Sequence, residues 1–265
     1  MIKLSACTEM VFSEIDGFPQ RIQAAAQAGL RAVEFWGCSN KDIDAIVAAK
    51  EKAGVQIAAV SVEPPRGMLD AALADEYARS VETALHAARR LGTKVLIAGR
   101  VSVLGPGATR GEPRPRLRSE QHAGIVACLQ AAAPVAEAAG VTLALEPLNS
   151  LVDYPGYYLT TSAEGFEIVE EVGSPNVRLL YDIYHQQVTE GNLIATITAN
   201  IDKIAHFHAA DVPGRHEPGT GEINWANVLA AIDQAGYEGY VGLEYRPTTS
   251  TAKSLEHVMA VVNEL

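Results

Sequence analysis

Short β-branched runs alternate with longer Ala-rich amphipathic stretches along the whole chain, and this alternation restricts the fold more than any other feature. The runs fall at 3–8, 32–35, 55–63, 94–99, 141–146, 177–182, 204–209 and 239–244. Helical patterns lie between and after them, near 18–29, 40–53, 70–91, 118–139, 162–172, 190–201, 224–236 and 251–263. Strands that alternate with helices pair in parallel, because each helix carries the chain back across the sheet. Eight such units in 265 residues predict closure, so the expected fold class is α/β, a single (β/α)8 (TIM) barrel over 1–265.

Punctuation agrees with this division. "AGL", "AGV", "LGT", "AAGV" and "AGYEGY" place glycine just past helix ends, where a left-handed residue closes the last turn most easily. Ser162 and Asn224 are expected N-caps. Two strand-to-helix connections are long, 100–118 and 210–223. In a barrel both lie on the C-terminal face, where active sites are built.

Charge and cysteine usage narrow the setting. The formal net charge of −11 opposes nucleic acid or an anionic membrane as partner, since a basic face supplies most of that affinity. Cys7, Cys38 and Cys128 form neither a CxxC pair nor an even set, and they read as free thiols in a reducing compartment. The opening MIKLSACTEMVFSEID acquires acids too early for a signal peptide, and no run of about 18 apolar residues is present. A cytoplasmic protein is expected, with a homo-oligomer left open.

Four of the runs end in a residue able to bind metal: "VTLALEP" at Glu146, "VRLLYDIYH" at Asp182, "IAHFHAAD" at His208 and "YVGLEYRP" at Glu244. They close four consecutive strands. Side chains alternate between the faces of a strand. Glu146 therefore shares a face with Ala144 and Thr142, Glu244 with Gly242, and His208 with His206, while Leu143, Leu145, Phe207 and Leu243 point to the helices. Each residue alone has an ordinary explanation as a cap or an ion-paired side chain. Together, three buried acids need compensation, because a bare buried charge costs several kcal/mol. One divalent ion is the simplest source. Three carboxylates and an imidazole suit Mn²⁺ first, with Mg²⁺, Co²⁺ or Fe²⁺ possible, and the absence of thiolates argues against structural zinc.

With those residues in view, "LEPLN", "YPGYYLT", "LLYDIYHQQ", "HFHAADVPGRHEPGTGEINW" and "GYVGLEYRP" resemble the hydroxypyruvate isomerase family of the xylose-isomerase-like barrels. The resemblance covers most of the chain and is most specific from about 141 to 249. It implies a small keto acid or sugar substrate, typically hydroxypyruvate interconverted with tartronate semialdehyde. It makes Glu146 and Glu244 the proton-moving pair and Asp182 a metal ligand. His185 and Arg215 match positions that hold substrate in related ketose epimerases. Two departures stand out. His208 occupies the place of the Gln in the family's strand-seven "HxQ" pattern, as in the ketose epimerases. The stretches "VEPPRGMLD" and "GRVSVLGPGATRGEPRPRLR" also differ from the usual isomerase sequences. A ketose 3-epimerase or other keto-sugar isomerase is thus the alternative, and a keto-polyol dehydratase or an abasic-site endonuclease fits less well.

The remaining candidates are weaker. Arg215 is expected to pair a substrate carboxylate or to be a solvated loop residue, and His185 to bind a substrate oxygen or to orient a metal carboxylate. His216 and Glu217 are read as ordering their loop. Glu34 and Glu63, at the ends of the second and third runs, are pocket candidates, and Trp36 is read as packing. Arg110, Arg114, Arg116 and Arg118 form one basic cluster, read as a solvated loop, with anion recognition or a subunit interface as alternatives.

Overall fold

The computed structural model describes residues 2–101 and 117–263. Eight strands close a parallel barrel in chain order. They are β1 (Lys3–Cys7), β2 (Ala32–Phe35), β3 (Gln56–Ser61), β4 (Val95–Ile97), β5 (Thr142–Leu145), β6 (Val177–Asp182), β7 (Ile204–Ala209) and β8 (Tyr240–Leu243). β8 returns to β1 with Leu4 opposite Val241 and Ala6 opposite Leu243, which seals the cylinder. Around it run α1 (Phe18–Gln27), α2 (Ile43–Ala53), α3 (Ala74–Leu91), α4 (Arg118–Ala139), α5 (Ser162–Val172), α6 (Ile183–Thr189), α7 (Leu193–Ala199), α8 (Trp225–Gln234) and α9 (Thr251–Asn263). Among the described residues no helix is long and apolar enough to cross a membrane.

Local chemistry sets the boundaries. Gly54, Gly92, Gly140 and Gly173 close α2, α3, α4 and α5 in the left-handed region, with φ between 61° and 76°. Asn224 caps α8 as expected, accepting from Asn227 N at 3.1 Å. The cap of α5 is Thr161, one residue before the expected Ser162, accepting from Glu164 N at 3.3 Å. The helical pattern expected near 190–201 is met by α7, and a separate, unexpected helix, α6, precedes it. Asp182 accepts from His185 N at 2.9 Å, starts α6 directly off β6, and so places His185 on a first helical turn rather than in a loop.

The barrel interior is divided. β3 to β6 contribute an apolar cluster of Ala59, Ile97, Ala144 and Leu180. The other half is polar: Ser5 of β1, Glu34 of β2 and His206 of β7 meet beside Gly242 of β8. Outward-facing Leu143, Leu145, Phe207 and Leu243 join the larger core beneath the helices, so the period-two reading of these strands holds. Cys7, Cys38 and Cys128 are free. Of the basic cluster, Arg110, Arg114 and Arg116 lie outside the described residues. Arg118 pairs with Glu164 at 2.6 Å and covers the Tyr158 ring.

A Cβ on Gly242 would fall 2.4 Å from Glu34 Oε1, inside the closed cylinder where little can yield. Gly242→Ala is therefore expected to lower stability by about 1–3 kcal/mol in denaturant unfolding. An unchanged midpoint would contradict this packing.

Candidate active site and metal centre

The four expected ligands converge at the C-terminal rim. Asp182 ends β6 and His208 lies within β7, whereas Glu146 and Glu244 sit one residue beyond β5 and β8. One ligand atom from each lies within 4.8 Å of the others. His208 Nδ1 faces all three acids, 3.1 Å from Glu146 Oε1, 3.4 Å from Glu244 Oε2 and 3.9 Å from Asp182 Oδ2. Asp182, His208 and Glu244 are buried and Glu146 partly so.

Arg215 is drawn into the same centre. Its residue adopts φ 57°, a left-handed conformation that a side chain rarely takes, and is held by backbone bonds to Asp211 and Arg246. Its Nη2 contacts Glu244 Oε2 and lies 3.6 Å from Asp182 Oδ2. Its Nε is buried without a partner. The loop carrying it is organised by Asp211, which accepts from Val212 N, Gly219 N, Ile223 N and Trp225 Nε1. Glu217 helps at the other side by binding Thr248, and His216 Nδ1 meets Arg246 O, so both order the loop as expected.

His185 is fully buried on α6. Its Nδ1 accepts from Asn149 N at 3.2 Å, which assigns the ring proton to Nε2. That Nε2 has no hydrogen-bond partner and lies 3.6 Å from Asp182 Oδ2. Burial and the nearby Arg215 charge hold His185 well below the usual histidine range, so it stays neutral.

A cavity of about 300 Å³ opens above the centre. Glu146, Glu244 and Arg215 line it, together with Trp36, Glu63, Arg100, Tyr154 and Tyr157; His185 does not. Trp36 is not packing: it is 44% exposed, and its indole N–H donates to Glu244 Oε1 at 2.8 Å. Glu63 reaches the wall but is engaged by Cys38 N, Ser39 N and Ser39 Oγ. Glu34, the other pocket candidate, does not line the cavity; it lies deeper, inside the barrel. Arg100, Tyr154 and Tyr157 had no individual signal in the sequence. The aromatic run "DYPGYY" in the connection after β5 was the available clue.

Electrostatics describe a centre short of positive charge. Burial raises Glu146 above the ordinary carboxylate range, against the pull of His208, and burial likewise raises Asp182 despite Arg215. Burial would raise Glu244 too, but His208 and Arg215 overcome it and hold Glu244 low. Burial opposes charge on His208, yet Glu244 and Glu34 hold it well above its usual value. Two acids that resist ionisation beside an imidazole that resists neutrality form a set that a divalent ion would complete. Three carboxylates and one imidazole are a suitable donor set for such an ion, so the residues fit a possible metal site.

The family described as xylose isomerase-like TIM barrel matches residues 22–262. The chain belongs to that family. Within it, the chain is 35% identical to the hydroxypyruvate isomerase of Escherichia coli (strain K12), over 96% of this chain and 97% of that one. It is 33% identical to the 2-oxo-tetronate isomerase of Cupriavidus necator, over 96% of each. Among solved structures it resembles an AP endonuclease, family 2, from Brucella melitensis, with 28% identity and a TM-score of 0.88, over 98% of this chain and 99% of that one. The xylose isomerase-like barrel thus agrees with the fold and with the hydroxypyruvate isomerase resemblance carried by the motifs between 141 and 249.

The charge balance predicts proton-linked metal binding. Burial shifts Glu146 and Asp182 toward their protonated forms and the neighbouring carboxylates shift His208 the same way, so an incoming ion competes with protons for these groups. Calorimetric titration with Mn²⁺ is expected to show affinity rising with pH, and proton release on binding when buffers of different ionisation enthalpy are compared. Affinity independent of pH would contradict this electrostatic description.

Proposed function

We propose that this protein is an isomerase of a short 2-keto acid, with hydroxypyruvate and tartronate semialdehyde as the substrate pair. The observation that carries the reading is the convergence of Glu146, Asp182, His208 and Glu244, with both glutamates facing a cavity of small-molecule size. The two isomerase relatives, each covered over nearly its whole length, support the same reaction class.

The reaction moves one hydrogen between adjacent carbons. A carboxylate removes a proton from the hydroxymethyl carbon of hydroxypyruvate, leaving an enediolate. A proton then returns to the neighbouring carbon, and the oxygen-bound proton is transferred so that the aldehyde forms at the terminal position. Glu146 and Glu244 are assigned as the base and acid pair, a role that contributes about 10²–10⁴-fold. Trp36 and Arg215 hold the two oxygens of Glu244 and fix its orientation. Asp182 and His208 serve mainly as ligands. When bound, a divalent ion, Mn²⁺ by preference of the donor set, would supply Lewis-acid stabilisation of the developing oxyanion.

His185 lies outside the cavity with its unpaired Nε2–H 3.6 Å from Asp182 Oδ2, so it orients that carboxylate rather than touching substrate. Arg215 also lines the cavity; its Nε is buried and its Nη2 contacts Glu244, so the remaining η N–H groups are the donors it can offer to substrate. The substrate carboxylate is assigned to Arg100. This side chain lines the cavity, stacks 5.4 Å over the Tyr154 ring, and makes no ion pair among the described residues. The acidic protein and acid-rich cavity oppose a DNA phosphate backbone as substrate, which weighs against an endonuclease role. His208 favours a second reading, a ketose 3-epimerase, in which the same two glutamates act on opposite faces of one carbon.

A substrate panel separates the two. Product from hydroxypyruvate with none from ketohexoses is expected; epimerised ketohexose with inert hydroxypyruvate would replace the first reading by the second. Glu146→Gln and Glu244→Gln are each expected to lose at least about 10²-fold in turnover with an unchanged circular dichroism spectrum. Near-normal turnover in either would remove that residue from the proton transfer. Arg100→Gln is expected to raise KM for hydroxypyruvate by about tenfold or more with little change in kcat, the pattern of a lost charged contact to bound substrate. An unchanged KM would clear Arg100 of that role.

A further inference from the structure

Glu34 is a buried carboxylate that the proposed reaction does not use. It is 2% exposed, inside the barrel, and separated from the cavity. Oε2 accepts from Ser5 Oγ at 2.8 Å and meets His206 Nε2 at 2.8 Å. Oε1 lies 2.8 Å from His208 Nε2, in ion-pair range though outside hydrogen-bond alignment. Gly242 closes the remaining side, with no room for a Cβ. Such a group, drawn from water and surrounded from β1, β2, β7 and β8, needs a reason to be there, because isolated burial costs several kcal/mol.

The reason lies on the far side of His208. Its Nδ1 faces Glu146, Asp182 and Glu244, and its Nε2 faces Glu34. A neutral imidazole can offer a lone pair from only one nitrogen, and which one depends on what the other nitrogen donates to. We propose that Glu34 is a positioning residue: it takes the Nε2–H of His208 and thereby fixes the tautomer and ring orientation that aim the Nδ1 lone pair at the cation site. Ser5 and His206 hold Glu34 in turn, and Gly242 gives it space. The inference rests on the proposed metal centre.

Glu34, His206 and His208 also place ligand atoms within 4.8 Å of one another, so a cation of their own is the competing explanation. The hydrogen bonds from Ser5 and His206 to one carboxylate oxygen favour the positioning role.

The test measures Mn²⁺ binding by calorimetry and by the electron paramagnetic resonance of free Mn²⁺, in wild type and Glu34→Gln. Wild type is expected to take up one ion per chain, and Glu34→Gln to bind it about 10–100-fold more weakly. Wild-type Kd retained in Glu34→Gln would overturn the positioning role while leaving the metal centre standing. Two ions per wild-type chain, with Glu34→Gln losing one, would overturn it in favour of a second cation site. No binding by wild type would bring down the centre and this inference together. A second measurement needs no variant: histidine ¹⁵N chemical shifts of Mg²⁺-loaded wild type are expected to show His208 protonated on Nε2. Protonation on Nδ1 would overturn the proposal even if Glu34→Gln failed to fold.

Discussion

Carboxylates in a closed barrel can stay ionised only if positive charge or hydrogen-bond donors reach them, and much of this molecule follows from that requirement. Glu146, Asp182 and Glu244 gather at one rim, and Glu34 lies below them. His208 stands between the two levels and touches both. Arg215, although it belongs to a long loop, is bent through a left-handed conformation so that its guanidinium enters the centre. These two cations hold Glu244 low, yet Glu146 and Asp182 remain raised by burial. The remaining deficit is what an ion would fill.

The rest of the barrel serves this arrangement by keeping it rigid. The apolar cluster of Ala59, Ile97, Ala144 and Leu180 fills the half of the cylinder that carries no charge. Its small residues leave the polar half to Ser5, Glu34 and His206, whose contacts need Gly242 opposite. Asp211 ties four donors between Val212 and Trp225, which anchors the segment bearing Arg215. Preorganisation of this kind places groups before substrate arrives, which is where much of an enzyme's electrostatic advantage resides.

The strands, their parity and the four converging ligands were legible in the chain because period-two patterning determines which side chains turn inward. Glu146, Asp182, His208 and Glu244 could be placed on one rim by counting alone. Depth could not be counted. Glu34 and Glu63 look equivalent in sequence, yet one is sealed beneath the centre and the other lies out on the cavity wall, a difference set by strand length and register. α6 was hidden because "YDIYHQQVT" runs straight out of β6 with no glycine or proline between, and only the Asp182 cap marks the change. Trp36, Arg100 and the pair Tyr154 and Tyr157 come from three separate loops, after β2, β4 and β5. Their meeting over the centre depends on tertiary geometry that no local pattern records.

Anomalous diffraction from a crystal grown with Mn²⁺ tests the central claim most directly. A single peak within bonding distance of Glu146, Asp182, His208 and Glu244 is the result this account predicts. A peak absent from that rim, or one bound elsewhere while the four side chains pair only with one another, would contradict it.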